Sequence, residues 1–341
     1  MDPAGLRREV VFEGFDVASR KRLFLFAAVG LGTVWSYSRR AVRRWEDVDL
    51  AAATQPGQNV EVDGVRLHYV EAGSGPPLLL LHGLNGSTFG FRLLMPCLAT
   101  HFRTIALDLM GFGYSERPQH RDYSLGAQAR LVAGFLDALG IAKASVLGHS
   151  LGGAVAMHLA LEFPERVDRL ILVSSASDSE TRRGLRSSRL VRPLLPVVAA
   201  FTVQNQRFRR MSLRSACYDP AFITPEIIEG YMAPTRVRGH LRALGSLMVD
   251  RRKDPPLDPA AISQPALIIW GAADHWLPAS HGERLQALIP NSRMTVIDRA
   301  GHLVLEEQPE ESARVLIDFL QAPMPAGSGT QAIAQTADGT A

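Results

Sequence analysis

Three residue types, in a set chain order, could carry out nucleophilic chemistry. Ser150 stands in Gly148-His149-Ser150-Leu151-Gly152-Gly153, between a short apolar run and a helical pattern. A serine in that setting turns sharply out of a strand with its hydroxyl exposed, and glycines two before and two after relieve the crowding. A hydroxyl is a weak nucleophile until a base takes its proton, and the base needs an acid to orient it. His302, in Ala300-Gly301-His302 between the last strand pattern and the last helical pattern, is the candidate base. Asp274, in Gly271-Ala272-Ala273-Asp274 after the preceding strand pattern, is the candidate acid. Serine, then acid, then histidine is the chain order expected for a nucleophile on a strand-to-helix turn. Asp178 also follows a strand pattern and is a second candidate acid. His275 adjoins Asp274 but precedes the last strand, and His149 is expected to point away from the hydroxyl beside it. Attack on a carbonyl creates an oxyanion that needs two fixed donors. The backbone N–H groups of Leu151 and of Leu84, in His82-Gly83-Leu84-Asn85-Gly86, are the candidates. Asn85 could add a side-chain donor, and His82 is expected to brace its loop. The implied chemistry is acyl transfer from an ester-like carbonyl to water.

The elements that must position these residues are legible in the apolar pattern. Val60, Val62, Val65, Leu67 and Tyr69 flank Asp63-Gly64, which predicts a hairpin. Leu78 to Leu81 is a continuous apolar run that stops at His82-Gly83, the pattern of a strand buried on both faces. Further strands are predicted near 104–109, 144–147, 167–173, 266–270 and 294–297, and helices over 125–139, 151–163, 279–288 and 309–320. That alternation predicts an α/β fold with a parallel sheet and helices on both faces. Between 178 and 263 the rhythm breaks into a stretch rich in proline and arginine with helical fragments, read as an inserted helical cap. Its arginines fit a solvated surface or contact with anionic headgroups equally well.

The chain has 341 residues, 46% of them apolar, and a formal charge of +3, which is no basis for a nucleic-acid partner. Cys97 and Cys217 form no paired spacing, and there is no P-loop, dinucleotide fingerprint or metal-ligand cluster, so no cofactor or metal is expected. Leu23 to Tyr37 carries no charge and lies between Arg20-Lys21-Arg22 and four arginines at 39, 40, 43 and 44. The run is short for a spanning helix, but flanking basic side chains extend its reach. Residues 1–54 therefore read as an N-terminal segment with a membrane anchor at 23–38; a cleaved signal peptide or a docked helix are the other readings. The globular pattern begins near Asn59, and the tail 323–341 is read as disordered.

The segments HGLNG, DLMGFGYSERP, GHSLGG, GAADHWLP and AGHLVLEEQPE, in this order and spacing, resemble the α/β-hydrolase fold family from about Val60 to Leu320. The resemblance implies an eight-stranded, mostly parallel sheet over 59–177 and 264–321, with a cap over 178–263. Within the family the chain looks most like lipases and esterases, including monoacylglycerol-lipase-like members. Carbon–carbon bond hydrolases of ring-cleavage diketones share the same motifs. Epoxide hydrolases and haloalkane dehalogenases of this fold use an aspartate nucleophile, and acyltransferase-like members place Asp after His and four residues, where this chain has Glu307. The expectation is a serine hydrolase of carboxylic esters, lipid-like in substrate and membrane-associated (otherwise secreted or cytoplasmic). The alternatives are a carbon–carbon hydrolase and a non-catalytic ligand receptor. Acyl length, leaving group, substrate-binding residues and oligomeric state stay open at this level.

Overall fold

A computed structural model describes residues 40, 42, 44–53, 55–175 and 205–323. The run 23–38, Asp178, the apolar stretch 194–203 and the tail from 324 lie outside the described residues. The chain divides into Met1–Arg44 and Trp45–Ala341, and only the second is described at length.

Strands β1 (Gln58–Val62) and β2 (Val65–Ala72) form the hairpin, with Val62 opposite Val65. Asp63 and Gly64 both take positive φ, 50° and 72°, as a two-residue turn between twisted strands requires. There follow β3 (Pro77–Leu81), β4 (Arg103–Leu107), α1 (Leu125–Ala138), β5 (Ala144–His149), α2 (Leu151–Glu162) and β6 (Val167–Val173). Three helices come next, α3 (Gln206–Ser215), α4 (Pro225–Met232) and α5 (His240–Asp250). The core then resumes with β7 (Ala266–Gly271), α6 (Ser280–Leu288), β8 (Ser292–Ile297) and α7 (Pro309–Gln321). The eight strands form one sheet in the order β1-β2-β4-β3-β5-β6-β7-β8. Only the pairs β1–β2 and β2–β4 are antiparallel. The inner strands carry unbroken apolar runs because both faces are covered: Leu78, Leu79, Leu80 and Leu81 are all fully buried, as is β7 throughout. Helices α1 and α2 pack together against β1, β3, β5 and β6. On the opposite face Leu316 and Phe319 of α7 join Leu78, Leu80, Leu147, Ile171 and Leu267 in one apolar cluster.

Two features of this topology place the site. First, β3 lies between β4 and β5, so the direction of winding reverses there, and the carboxyl ends of β3 and β5 open side by side (Leu81 is opposite Gly148). A crevice at such a switch point is where open α/β sheets bind ligands. Second, β7 and β8 run parallel with Gly271 opposite Ile297, so the loops that follow them emerge as neighbours.

The folded unit begins earlier than the apolar pattern near Asn59 implies. Glu46 is buried, and its carboxylate accepts hydrogen bonds from the N–H groups of Gly239 (2.9 Å) and Leu241 (2.7 Å). Those are orphan donors at the start of α5, whose own N-cap Gly239 has no side chain to offer. Asp47 pairs with Arg236 and Asp49 with Arg238. Polar residues with partners some 190 positions away leave no local pattern, so in the sequence 45–53 read as part of the N-terminal segment.

Candidate active site

The elbow is built from glycines. A β-carbon on Gly148 would collide with the Gly152 carbonyl, and one on Gly152 with the Leu81 carbonyl. Helix α2 can therefore start tight against β5 and β3 only with hydrogen at both positions. Gly152→Ala is expected to cost about 2–3 kcal/mol, seen as a denaturation midpoint lower by about 3–5 °C, because the obstacle is backbone. Between these glycines Ser150 adopts φ 52°, ψ −115°, a conformation that non-glycine residues rarely hold. Its own N–H is fixed to the Val173 carbonyl at 2.9 Å.

Ser150 and His302 line one cavity of about 360 Å³. His302 Nδ1 is 2.8 Å from Asp274 Oδ2, and both groups are buried. The other Asp274 oxygen accepts the N–H groups of Trp276 and Leu277, each at 2.9 Å. Burial pushes the Asp274 carboxyl up, but the hydrogen bond and charge of His302 and the Leu277 N–H outweigh it, so the acid titrates below its ordinary value. The Trp270 indole N–H donates to the Leu277 carbonyl at 2.6 Å and ties this loop to the core of β7. With a carboxylate on Nδ1, the His302 Nε2 is left as the proton acceptor.

The loop after β3 lies against the elbow. A β-carbon on Gly83 would stand 3.1 Å from the Ser150 Cβ, so glycine allows the approach. Asn85 turns the loop with φ 57°. Among the described residues the Leu84 and Leu151 N–H groups have no hydrogen-bond partner. His82 braces this loop. Its Nδ1 meets the Gly83 carbonyl at 2.8 Å and its Nε2 accepts the Leu109 N–H at 3.1 Å, which makes Nδ1 the protonated nitrogen. Burial, in turn, pulls its pKa down. The neighbouring 108–118 loop is pinned by Asp108, whose carboxylate takes the Thr88 and Tyr114 N–H groups and His68 Nδ1.

His149 has the structural role expected of it, with a partner the sequence did not name. Its ring lines the same cavity, 5.0 Å from the His302 ring, and its Nε2 donates to the His302 carbonyl at 2.9 Å. Burial, helped by the nearby His302, drives its pKa down to about 3. His149 is thus a neutral strut beneath the His302 backbone. Trp276 covers the other side of His302 with ring centroids 5.2 Å apart.

Sequence reasoning left the substrate-binding residues open; the helices between β6 and β7 and the segment after His302 supply much of the cavity wall. Arg209, Ser212, Leu213, Tyr231, Leu305 and Glu306 complete the cavity wall. Glu306 is buried and held between Arg92 and the Tyr231 hydroxyl. Burial raises its pKa even against the Arg92 charge. One signal for Arg209 was available: it stands four residues before Leu213 and seven before Ala216, on the buried stripe of α3.

The sequence profile of the α/β hydrolase fold family matches residues 76–195 and 239–309. The chain is 30% identical over 275 residues to the uncharacterized hydrolase YugF of Bacillus subtilis, spanning 79% of this chain and 99% of that protein. It is 31% identical over 278 residues to the 2-hydroxy-6-oxo-2,4-heptadienoate hydrolase of Pseudomonas putida, 78% of this chain and 96% of the other. Among solved structures a membrane phospholipase A, described as a bacterial virulence factor, superposes with TM-score 0.65 at 27% identity, covering 87% of this chain and 96% of that one. An elbow serine at the switch point of an eight-stranded, mostly parallel sheet and a profile match on both sides of the 205–238 helices agree: the chain belongs to the α/β-hydrolase fold family.

Proposed function

We propose that the protein hydrolyses carboxylic esters through an acyl-enzyme on Ser150. The observation that carries this reading is the strained Ser150 elbow facing the same cavity as a histidine whose far nitrogen is held by a buried carboxylate. His302 Nε2 takes the Ser150 proton as Oγ bonds to the carbonyl carbon. The Leu84 and Leu151 N–H groups hold the oxyanion. The carbon–oxygen bond to the alcohol then breaks, and the alcohol leaves with the proton from His302. Water, deprotonated by His302, attacks the acyl-enzyme, and the proton returns to Ser150 as the acid departs. Asp274 orients His302 and stabilises its cation.

A lipid-like ester suits the apolar walls from Phe91, Leu213, Leu303 and Leu305, and the exposed Leu84 and Trp276 on the lining. The similarity to a membrane phospholipase A agrees with it. A membrane anchor at 23–38 belongs to this reading; among the described residues no helix is long and apolar enough to cross a membrane. The similarity to a heptadienoate hydrolase favours a second reading, cleavage of a carbon–carbon bond in a ring-cleavage diketone by the same residues. Kinetics on the p-nitrophenyl esters of acetate, butyrate and decanoate, a monoacylglycerol and 2-hydroxy-6-oxo-2,4-heptadienoate decide between them. The best ester is expected to exceed the dienoate by at least about tenfold in kcat/KM. The reverse ranking selects the diketone, and acetate preferred over all longer acyl chains removes the lipid-like substrate.

A further inference from the structure

Arg209 is the anomaly in the cavity wall. It projects from α3 and is 8% exposed, yet among the described residues its guanidinium makes one hydrogen bond, from Nη2 to the Tyr231 carbonyl at 2.9 Å. Its Nε is buried with no partner among those residues. A guanidinium has five N–H donors and cannot shed its charge at neutral pH, so burial without partners is strongly unfavourable. The other arginines nearby have more partners. Arg92 pairs with Glu306, and Arg117, whose Nε also lacks a partner among the described residues, donates from its two terminal nitrogens to the carbonyls of Gly113, Ser115 and Pro234. Among the described residues no carboxylate pairs with Arg209. Burial lowers its pKa to about 10, and the one charge interaction that resists this comes from Tyr231. The acid of the wall, Glu306, is already committed to Arg92 and the Tyr231 hydroxyl.

We propose that Arg209 is a specificity residue that binds an anionic group of the substrate, a carboxylate or phosphate set apart from the carbonyl that Ser150 attacks. Planar, bidentate recognition of such an oxyanion would use the donors that the protein leaves idle. The inference rests on the reading of Ser150 as the nucleophile in the same cavity, and it narrows the substrate from apolar esters to those with an apolar body and one negative end. A carboxylate could come from a dicarboxylic half-ester or a dienoate, a phosphate from a lysophospholipid.

The test pairs p-nitrophenyl butyrate with mono-p-nitrophenyl succinate, which differ chiefly by one carboxylate, and adds 2-hydroxy-6-oxo-2,4-heptadienoate and a lysophosphatidate as further anionic arms. Arg209→Met is expected to lower the ratio of anionic to neutral kcat/KM by about 10- to 100-fold in at least one arm, mainly through KM, the scale of a lost charge-assisted hydrogen bond. Arg209→Lys should restore part of it. The arm that responds identifies carboxylate or phosphate. A ratio that stays within about threefold in every arm overturns the proposal and leaves Arg209 a structural residue. A direct measurement separates this outcome from failure of the Ser150 reading. In Ser150→Ala protein, which performs no chemistry on that reading, benzoate and inorganic phosphate are titrated by calorimetry with Arg209 intact and as Met. Binding of either anion that is lost with Arg209→Met sustains the site even if no ester is hydrolysed. Equal binding, or none of either anion, removes it.

Discussion

Replacing Ser150 with alanine is expected to lower kcat by about 10⁶-fold, the scale seen when a serine hydrolase loses its nucleophile. The residual rate belongs to the oxyanion donors and to substrate binding, which together still exceed water by about 10³-fold in such enzymes. The fold should survive, because alanine fills the same backbone position and the elbow is fixed by the Ser150 N–H to the Val173 carbonyl rather than by the hydroxyl. Loss of fluorophosphonate labelling at unchanged circular dichroism checks both halves of the expectation. A variant that keeps more than about 1% of esterase turnover would place the nucleophile elsewhere. The strain gives a second readout on the same residue. At φ 52° and ψ −115° a β-carbon is unwelcome, so Ser150→Gly should be more stable than Ser150→Ala by about 1 kcal/mol, although both are inactive.

Asp274→Asn is expected to cost about 10⁴-fold in kcat with little change in KM. The reason is which proton sits where. The ionised carboxylate accepts from His302 Nδ1 at 2.8 Å and so keeps Nε2 free to take the serine proton. An amide can keep its Oδ1 on the Trp276 and Leu277 N–H groups, so the loop holds its shape. Its NH2 then faces His302 and donates, which forces Nδ1 to accept and puts the ring proton on Nε2, the wrong nitrogen for a base. The variant should fold, bind and fail at proton transfer. Steady-state kinetics with an unchanged denaturation midpoint is the measurement. A loss smaller than about tenfold would mean that another carboxylate orients His302, with Asp178 the next candidate.

The two readings of the reaction share every one of these residues, so neither substitution separates them. Separation depends on the walls of the cavity. Much of those walls comes from α3 and α4 and from the segment after His302, and there the chain order carries little information. Tyr231 and Glu306 are 75 positions apart, and Arg92 and Glu306 are 214 apart, yet the three form one network around the buried Glu306 of the cavity wall.

By itself the sequence determined what is local. An apolar run that stops at a glycine makes a buried strand and the loop after it; Asp63-Gly64 makes a turn; Ser150 between small residues makes an elbow. Each follows from sterics within a few residues, and the order of Ser150, Asp274 and His302 follows from the order of the strands that carry them. The tertiary structure alone decided what depends on distant partners. It drew Glu46 onto the start of α5 and gave the structural His149 its partner, the His302 carbonyl. It also placed Arg209, one of many arginines in its stretch, on the cavity wall with no acid among the described residues to answer it. Burial and pairing are properties of the packed chain, because the energy of a charge is set by what surrounds it and not by its neighbours in sequence.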